Sequence, residues 1–319
     1  MKIVEDWGST YGDAINHYWH FEDYSEDDGK NVFFLGLSTS TDRYKEQYKN
    51  YENKIFFNTE HPCAFYDTSH DVIKRSSNLD GYYSKIFTQD PYTANWLNDL
   101  QKKNTFVHIF TTPINERYIV QEKQEKEYDA LYWGGIHSQV HVGILNAIKD
   151  FKYNFLSLGP RHWGLQDLAC AELMTHQNAP RSEMWELIRK TKINVMANLL
   201  FINTDHAKRI KKIKNWDKNE AFSHIDDLIL PQIKTRPFES AINRCLMLVK
   251  RDPWNIIEYW FEPDKEFIYY DNEEDLPEII NGILSNWEDY ESIIENAFEK
   301  AINNYTTDHF MEIVKRECI

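Results

Sequence analysis

Short runs of β-branched and aromatic residues, apolar almost throughout, recur along this 319-residue chain between longer polar or amphipathic stretches. In the first part they are Asn31–Leu37, Lys54–Asn58, Ser84–Thr88 and Phe106–Phe110. In the second they are Asp129–Trp133, Tyr153–Leu158, Ile193–Val195, Cys245–Val249 and Phe267–Tyr270. A strand with one solvated face would alternate apolar and polar residues. Runs without alternation, separated by helical patterns, read as parallel strands buried on both faces of α/β layers. Helical spacing supplies the covering layers. Val140, Ile144, Leu145 and Ile148 share a face within His137–Phe151, Leu276, Ile279, Ile280 and Ile283 follow a cap at Asn272 or Asp275, and Ile293, Ile294 and Phe298 align within Tyr290–Ile302.

"YIVQEKQEKEYD", Tyr118 to Asp129, is charged and carries no core pattern, which makes it the linker between two α/β halves. The expected division is 1–122, 123–290 and a C-terminal helical segment, 291–319, that crosses back to the first half. An aromatic share of 15% supplies core material and argues against disorder. No apolar run approaches the roughly 18 residues that span a bilayer, and "MKIVEDWGST" lacks the layout of a signal peptide. Cys63, Cys170, Cys245 and Cys318 form no C-x-x-C pair, so neither a zinc site nor a disulfide framework is expected and cytoplasmic residence follows. The formal charge of −15 disfavours a nucleic-acid partner. One local exception, "KRIKKIKNWDK" from Lys208 to Lys218, reads first as a solvated helix face.

Three places carry chemistry. "YDALYWGGIHSQVH" ends a strand in Gly134–Gly135 just before a helix, so backbone N–H groups can approach an anion such as a diphosphate, with His137 and Ser138 at the helix start. Taken alone, a Gly-Gly turn is more often simply a turn. "TRPFESAINRCLMLV" sets Arg236 and Glu239 in the first turn of a helix opened by Pro237. A cation fits poorly at that positive end unless an anion joins it; a phosphate ligand and an internal Arg236–Glu239 ion pair are the two readings. "KIFFNTEHP" sets Glu60 and His61 directly after a buried strand, where α/β sheets place catalytic groups. Glu60 reads either as a general base raised by burial or as an exposed loop residue. Gly12, Asp13 and His17, after a short first strand, are expected in the same cleft. No strand-end Asp-x-Asp or G-x-S-x-G motif is present, and no metal site is expected.

The ordered set Arg236–Pro237–Phe238–Glu239, "CLMLV", "EYWFEPDKEFIYYD" and "DLPEIINGIL" resembles the C-terminal pattern of glycosyltransferases of the GT-B type over about 75 residues. The strand-Gly-Gly turn, "RPFE" and "KIFFNTEHP" are also distantly similar to the phage DNA β-glucosyltransferases. The resemblance implies two Rossmann-like domains facing each other across a cleft. It implies an enzyme that moves a sugar from a nucleotide-sugar, a UDP-sugar foremost, to an acceptor hydroxyl. Glu239 would bind the ribose hydroxyls; Arg236, Phe238 and the Gly134–Gly135 turn with His137 and Ser138 would hold the rest of the donor, and Glu60 would deprotonate the acceptor. Retaining members often carry a second Glu eight residues earlier. Pro231 stands there, which points towards inversion. No cofactor is implied, the nucleotide-sugar being a substrate, and the acceptor would be a glycan, small molecule or protein. Two alternatives remain: a glucosyltransferase of modified DNA bases using Lys208, Arg209, Lys211 and Lys212, which the acidic balance disfavours, and a non-catalytic nucleotide-sugar-binding protein.

Overall fold

The computed structural model describes residues 1–6, 21–36, 46–58, 82–89, 91–100, 106–110, 113–136, 138–157, 173–177, 181–212 and 215–318. In chain order the strands are β1 Lys2–Asp6, β2 Asn31–Gly36, β3 Asn53–Asn58, β4 Lys85–Thr88, β5 Phe106–Ile109, β6 Tyr128–Trp133, β7 Tyr153–Ser157, β8 His176–Gln177, β9 Thr191–Met196, β10 Leu199–Phe201, β11 Ile229–Pro231, β12 Leu246–Lys250 and β13 Ile268–Tyr270. The α-helices are α1 Pro91–Leu100, α2 Gln139–Ile148, α3 Arg181–Arg189, α4 Thr204–Ile210, α5 Arg236–Ile242, α6 Leu276–Ser285, α7 Glu291–Asn304 and α8 Thr307–Cys318. All nine runs expected to be strands are strands, with ends within two residues of the expected ones. No described helix is long and apolar enough to cross a membrane.

Two compact units emerge. The first comprises Met1–Glu116, Ile202–Ile233 and Tyr305–Ile319; the second comprises Arg117–Phe201 and Lys234–Asn304. The chain therefore passes between units four times, against the two passages that divisions at 122/123 and 290/291 imply. The segment 202–233 looks from sequence like part of the second half, yet Ala207, Ile210, Phe222 and Ile225 are buried in the first unit.

In the first unit β1 to β5 lie side by side in sequence order, all parallel. Both faces are aromatic, which is why the strands read as continuous apolar runs. On one face Phe33, Ile55, Phe57 and Phe87 form a core with Phe310, Met311 and Val314 of α8. The Phe310 ring lies 4.7 Å from Phe110, 5.0 Å from Phe57 and 5.2 Å from Phe87, centre to centre. On the other face Phe56 stacks on Tyr83 at 4.9 Å, and Phe34 meets Tyr83 edge-on at 5.5 Å. The C-terminal segment is two helices, and only α8 belongs to this unit. Ile114 N–H donates to Tyr305 O and Thr307 N–H to Ile114 O, each at 2.8 Å, which anchors the return. The break between α7 and α8 falls at Tyr305–Thr306, where the Thr306 hydroxyl accepts from His309 N–H at 3.4 Å.

In the second unit the parallel sheet has the order β13-β12-β9-β6-β7-β8. Numbered within the unit this is the doubly wound order of a dinucleotide-binding fold, in which strands one and four are neighbours and the winding reverses between them. Those neighbours are β6 and β9. Ala130 and Tyr132 of β6, Ile193 and Val195 of β9 and Leu248 of β12 form the sheet's share of a core closed by Ile144, Ile148 and Ile280 of the helices. Ligands of such folds sit at the carboxyl ends of the strands flanking the reversal. Here those ends carry Trp133–Gly134 and Met196–Asn198.

Candidate donor-binding site

Tyr132 and Trp133 end β6, and the chain then turns through Gly134 and Gly135 into α2. Gly134 has φ +126°, a backbone conformation that only glycine adopts without strain. Its N–H donates to Leu156 O at 3.0 Å, and the Tyr132 hydroxyl donates to Gly135 O at 2.8 Å. The turn is thus held from both sides. Ser138 occupies the N-cap position of α2 in extended backbone without capping through its side chain; its Oγ lies 3.4 Å from Nδ1 of the buried His141. The leading N–H groups of this 10-residue helix therefore have no side-chain cap.

Helix α5 enters the same place from the other strand. Buried Asn194 of β9 donates from Nδ2 to Ser240 Oγ at 2.6 Å, and Ser240 Oγ donates to Arg236 O at 2.8 Å. This chain fixes the helix start against β9. Arg236 and Glu239, 9% and 2% exposed, are far more enclosed than charged residues normally are. The Arg236 guanidinium carbon lies 3.4 Å from the point a Cβ on Gly134 would occupy, and 6.0 Å from the centre of the Trp133 ring. The absent side chain of Gly134 is what lets the guanidinium reach the turn.

Of the two readings of Arg236, the internal ion pair does not form: no ion pair joins Arg236 to Glu239, and Arg236 Nη1 is buried without a hydrogen-bond partner among the described residues. Two further donors share that condition at the same strand ends, Trp133 Nε1 and Asn198 Nδ2. Buried N–H groups left unpaired cost about 1–3 kcal/mol each, so three of them on these neighbouring segments are a set that oxygen acceptors would satisfy. Trp133 and Asn198 escape sequence reasoning. The one legible signal is position: each stands at, or two residues beyond, the carboxyl end of a strand flanking the winding reversal.

Phe238, grouped with Arg236 and Glu239 from sequence, turns its ring into the core, 5.6 Å from Phe261 and 6.1 Å from Trp260. Its contribution is to seat α5. Glu60, His61, Gly12, Asp13, His17 and His137 lie outside the described residues. In the first unit, the basic stretch around α4 is compensated: Lys208 pairs with Asp205 at 3.6 Å, and Lys211 pairs with Asp226 and covers the Trp216 ring. Arg209 and Lys212 are exposed.

A family model described as "Glycosyl transferase-like" matches residues 142–315. Among solved structures, the chain is similar to S. aureus TarM with a TM-score of 0.57 and 10% identity, covering 93% of this chain and 56% of that one. It is similar to Anabaena HepE in complex with UDP-glucose, with a TM-score of 0.59 and 7% identity over 89% of this chain and 77% of that one. It is also similar to the sucrose-phosphate synthase of Thermosynechococcus elongatus, with a TM-score of 0.58 and 8% identity over 93% and 76%. The likeness is one of fold, the GT-B architecture of two Rossmann-like units. The chain spans little more than half the length of TarM. No curated protein matches the sequence.

Proposed function

The chain belongs to the glycosyl transferase-like family whose model spans residues 142–315, and from that premise we propose that it moves a sugar from a UDP-sugar to an acceptor hydroxyl. The observation that carries this reading is the buried guanidinium of Arg236 against Gly134, with Nη1 unpaired and the unpaired N–H groups of Trp133 and Asn198 at the neighbouring strand ends. A diphosphate supplies the oxygens these donors lack. Glu239, one helical turn from Arg236, receives the ribose hydroxyls, since a carboxylate accepts from two vicinal O–H groups at once. The solved complexes of HepE with UDP-glucose and with UDP support a UDP-sugar as the donor.

Transfer in this reading is a direct displacement with inversion. Glu60 follows the carboxyl end of β3 by two residues, the position from which a parallel sheet presents a catalytic group. Its carboxylate takes the acceptor proton as the hydroxyl oxygen attacks the anomeric carbon; the bond to the diphosphate breaks, and the departing charge passes to Arg236 and the α2 N-terminus. Those N–H donors do the work a divalent cation would do, so no metal is included. The acceptor is a glycan, small molecule or protein hydroxyl, and the enzyme works in the cytoplasm.

Calorimetric titration of UDP-glucose tests the donor site. Glu239→Ala is expected to weaken binding at least 10-fold while the far-ultraviolet spectrum stays native, and unchanged affinity would remove Glu239 from the site. Glu60→Gln is expected to keep donor affinity and lose at least 100-fold in turnover; the anomeric configuration of the product, read by proton NMR, decides between inversion and retention.

A further inference from the structure

At the opposite edge of the second unit, where β6 and β9 begin, a cavity of about 110 Å³ opens among the segment Val120–Lys126, the last residues of α3 and α5, Trp287 and α7. Its charges are unequally satisfied. Lys123 pairs with Glu291 and Glu295, and Arg244 grips Glu295 through Nε at 3.0 Å while lying over the Phe298 ring. Lys126 and Arg189 have no such partner: neither forms an ion pair among the described residues. Lys126 Nζ donates only to carbonyls, Arg189 O at 2.8 Å and Asn243 O at 3.3 Å. Arg189 donates from Nη2 to Tyr118 O at 3.2 Å, and its Nε is buried without a partner among the described residues. Burial pushes the Lys126 ammonium down to about 8 and lowers the Arg189 guanidinium as well, outweighing the opposing pull of Glu295 on the first and Glu186 on the second. Asn243, 2% exposed, donates from Nδ2 to Glu239 O at 2.8 Å, whereas its Oδ1 accepts from nothing among the described residues.

Beside the paired Lys123, Arg244, Glu291 and Glu295 and the exposed Glu122, the cavity wall thus holds two cations with no ion pair and one amide oxygen with no donor among the described residues, and an apolar surface from Ile242, Ile294 and Trp287. We infer that this cavity is a binding site for a small organic acid bearing a hydrogen-bond donor, an amino or hydroxy acid in size, distinct from the donor site. The carboxylate meets Arg189 Nε and Lys126, the amine or hydroxyl donates to Asn243 Oδ1, and the carbon skeleton lies on Trp287 and the isoleucines. A nucleotide is too large for the space. The site also has a route to the donor. Helix α5 is one rigid element of about 10 Å, with Arg236 and Glu239 in its first turn and Asn243 at its end, so an acid held by Asn243 acts on the residues that hold UDP-glucose. This coupling rests on the donor reading; the acid site does not.

Full-length protein titrated with L-serine, L-glutamate and malate tests the site, with thermal denaturation and calorimetry as readouts and the corresponding methyl esters and inorganic phosphate as controls. At least one acid is expected to raise Tm by 2 °C or more and to bind at least 10-fold more tightly than its ester. Arg189→Met is expected to abolish the response. Ile294→Phe, which fills the cavity with carbon and leaves every charge in place, is expected to do the same should the first variant fold poorly. Equal responses to ester or inorganic phosphate, an undiminished response in both variants, or no response to any acid at 10 mM overturns the proposal. For the coupling, the responding acid is expected to change the Kd of UDP-glucose at least threefold, with the reciprocal change in its own Kd. Acid binding without that change overturns the coupling, whereas acid binding in a protein that takes no UDP-glucose refutes the donor reading alone.

Discussion

At Gly134 two requirements meet in one residue. The turn needs φ +126°, and the Arg236 guanidinium needs the space a methyl would fill, with its carbon 3.4 Å from that point. Gly134→Ala therefore strains the backbone and presses on the Arg236 guanidinium together. It is expected to cost about 1–3 kcal/mol of stability and to weaken UDP-glucose binding more than 10-fold, measured by urea denaturation and titration. Asp252 makes a different residue-scale case. Burial raises its carboxyl from 3.8 to about 6, against backbone N–H donations from Trp254 and Ile256. The folded chain consequently binds the Asp252 proton more tightly than the unfolded one. Its contribution is most favourable below about pH 4, is lost as pH rises towards 6, and stays a penalty above that, at most about 3 kcal/mol. Asp252→Asn is expected to be more stable than the parent at pH 8 and to lose that advantage near pH 4, in paired urea titrations. Arg236 and Glu239 stood out in sequence as candidates because charges before a buried strand break its pattern. Trp133 and Asn198 break none, since their meaning comes from which strands are neighbours.

Elements were the most legible scale. A parallel strand buried on both faces writes a continuous apolar run, and β2, β3, β6 and β12 are such runs. β8, β10 and β11, two or three residues each, are too short to show a period, and α7 and α8 read as one stretch because no Gly or Pro separates them. The return of α8 rests on Phe310, whose ring faces those of Phe21, Phe33, Phe57, Phe87 and Phe110 within 6 Å. Phe310→Ala removes a fully buried aromatic from five others and is expected to cost about 3–5 kcal/mol. Thermal denaturation checks this; a loss under 1 kcal/mol would mean that α8 lies on the sheet without holding it.

At the scale of the whole molecule, chain order and spatial unit diverge. The charged linker was visible from sequence, and the chain does leave the first unit close by, at Glu116. The excursion of 202–233 was not visible, because its buried side chains would serve either sheet equally well and nothing local names the partner. A fragment ending at residue 122 would retain β1 to β5 but lose Ile202–Ile233 and the α8 side chains Phe310, Met311 and Val314. It is expected to show no cooperative urea transition by circular dichroism, whereas two independent domains joined at the linker would leave it folded.

Cys245 lends the second unit a different use. Its thiol stands just before β12, 2% exposed, with burial pushing its pKa up to about 12 and Sγ turned to Lys192 O at 3.5 Å. A thiol so protonated and enclosed does not react with an alkylating reagent until the strand end separates from β9. In a variant with Cys63, Cys170 and Cys318 changed to serine, the alkylation rate of Cys245 becomes a stopwatch for that opening. Every ligand that closes the unit, at either edge of the sheet, will slow it.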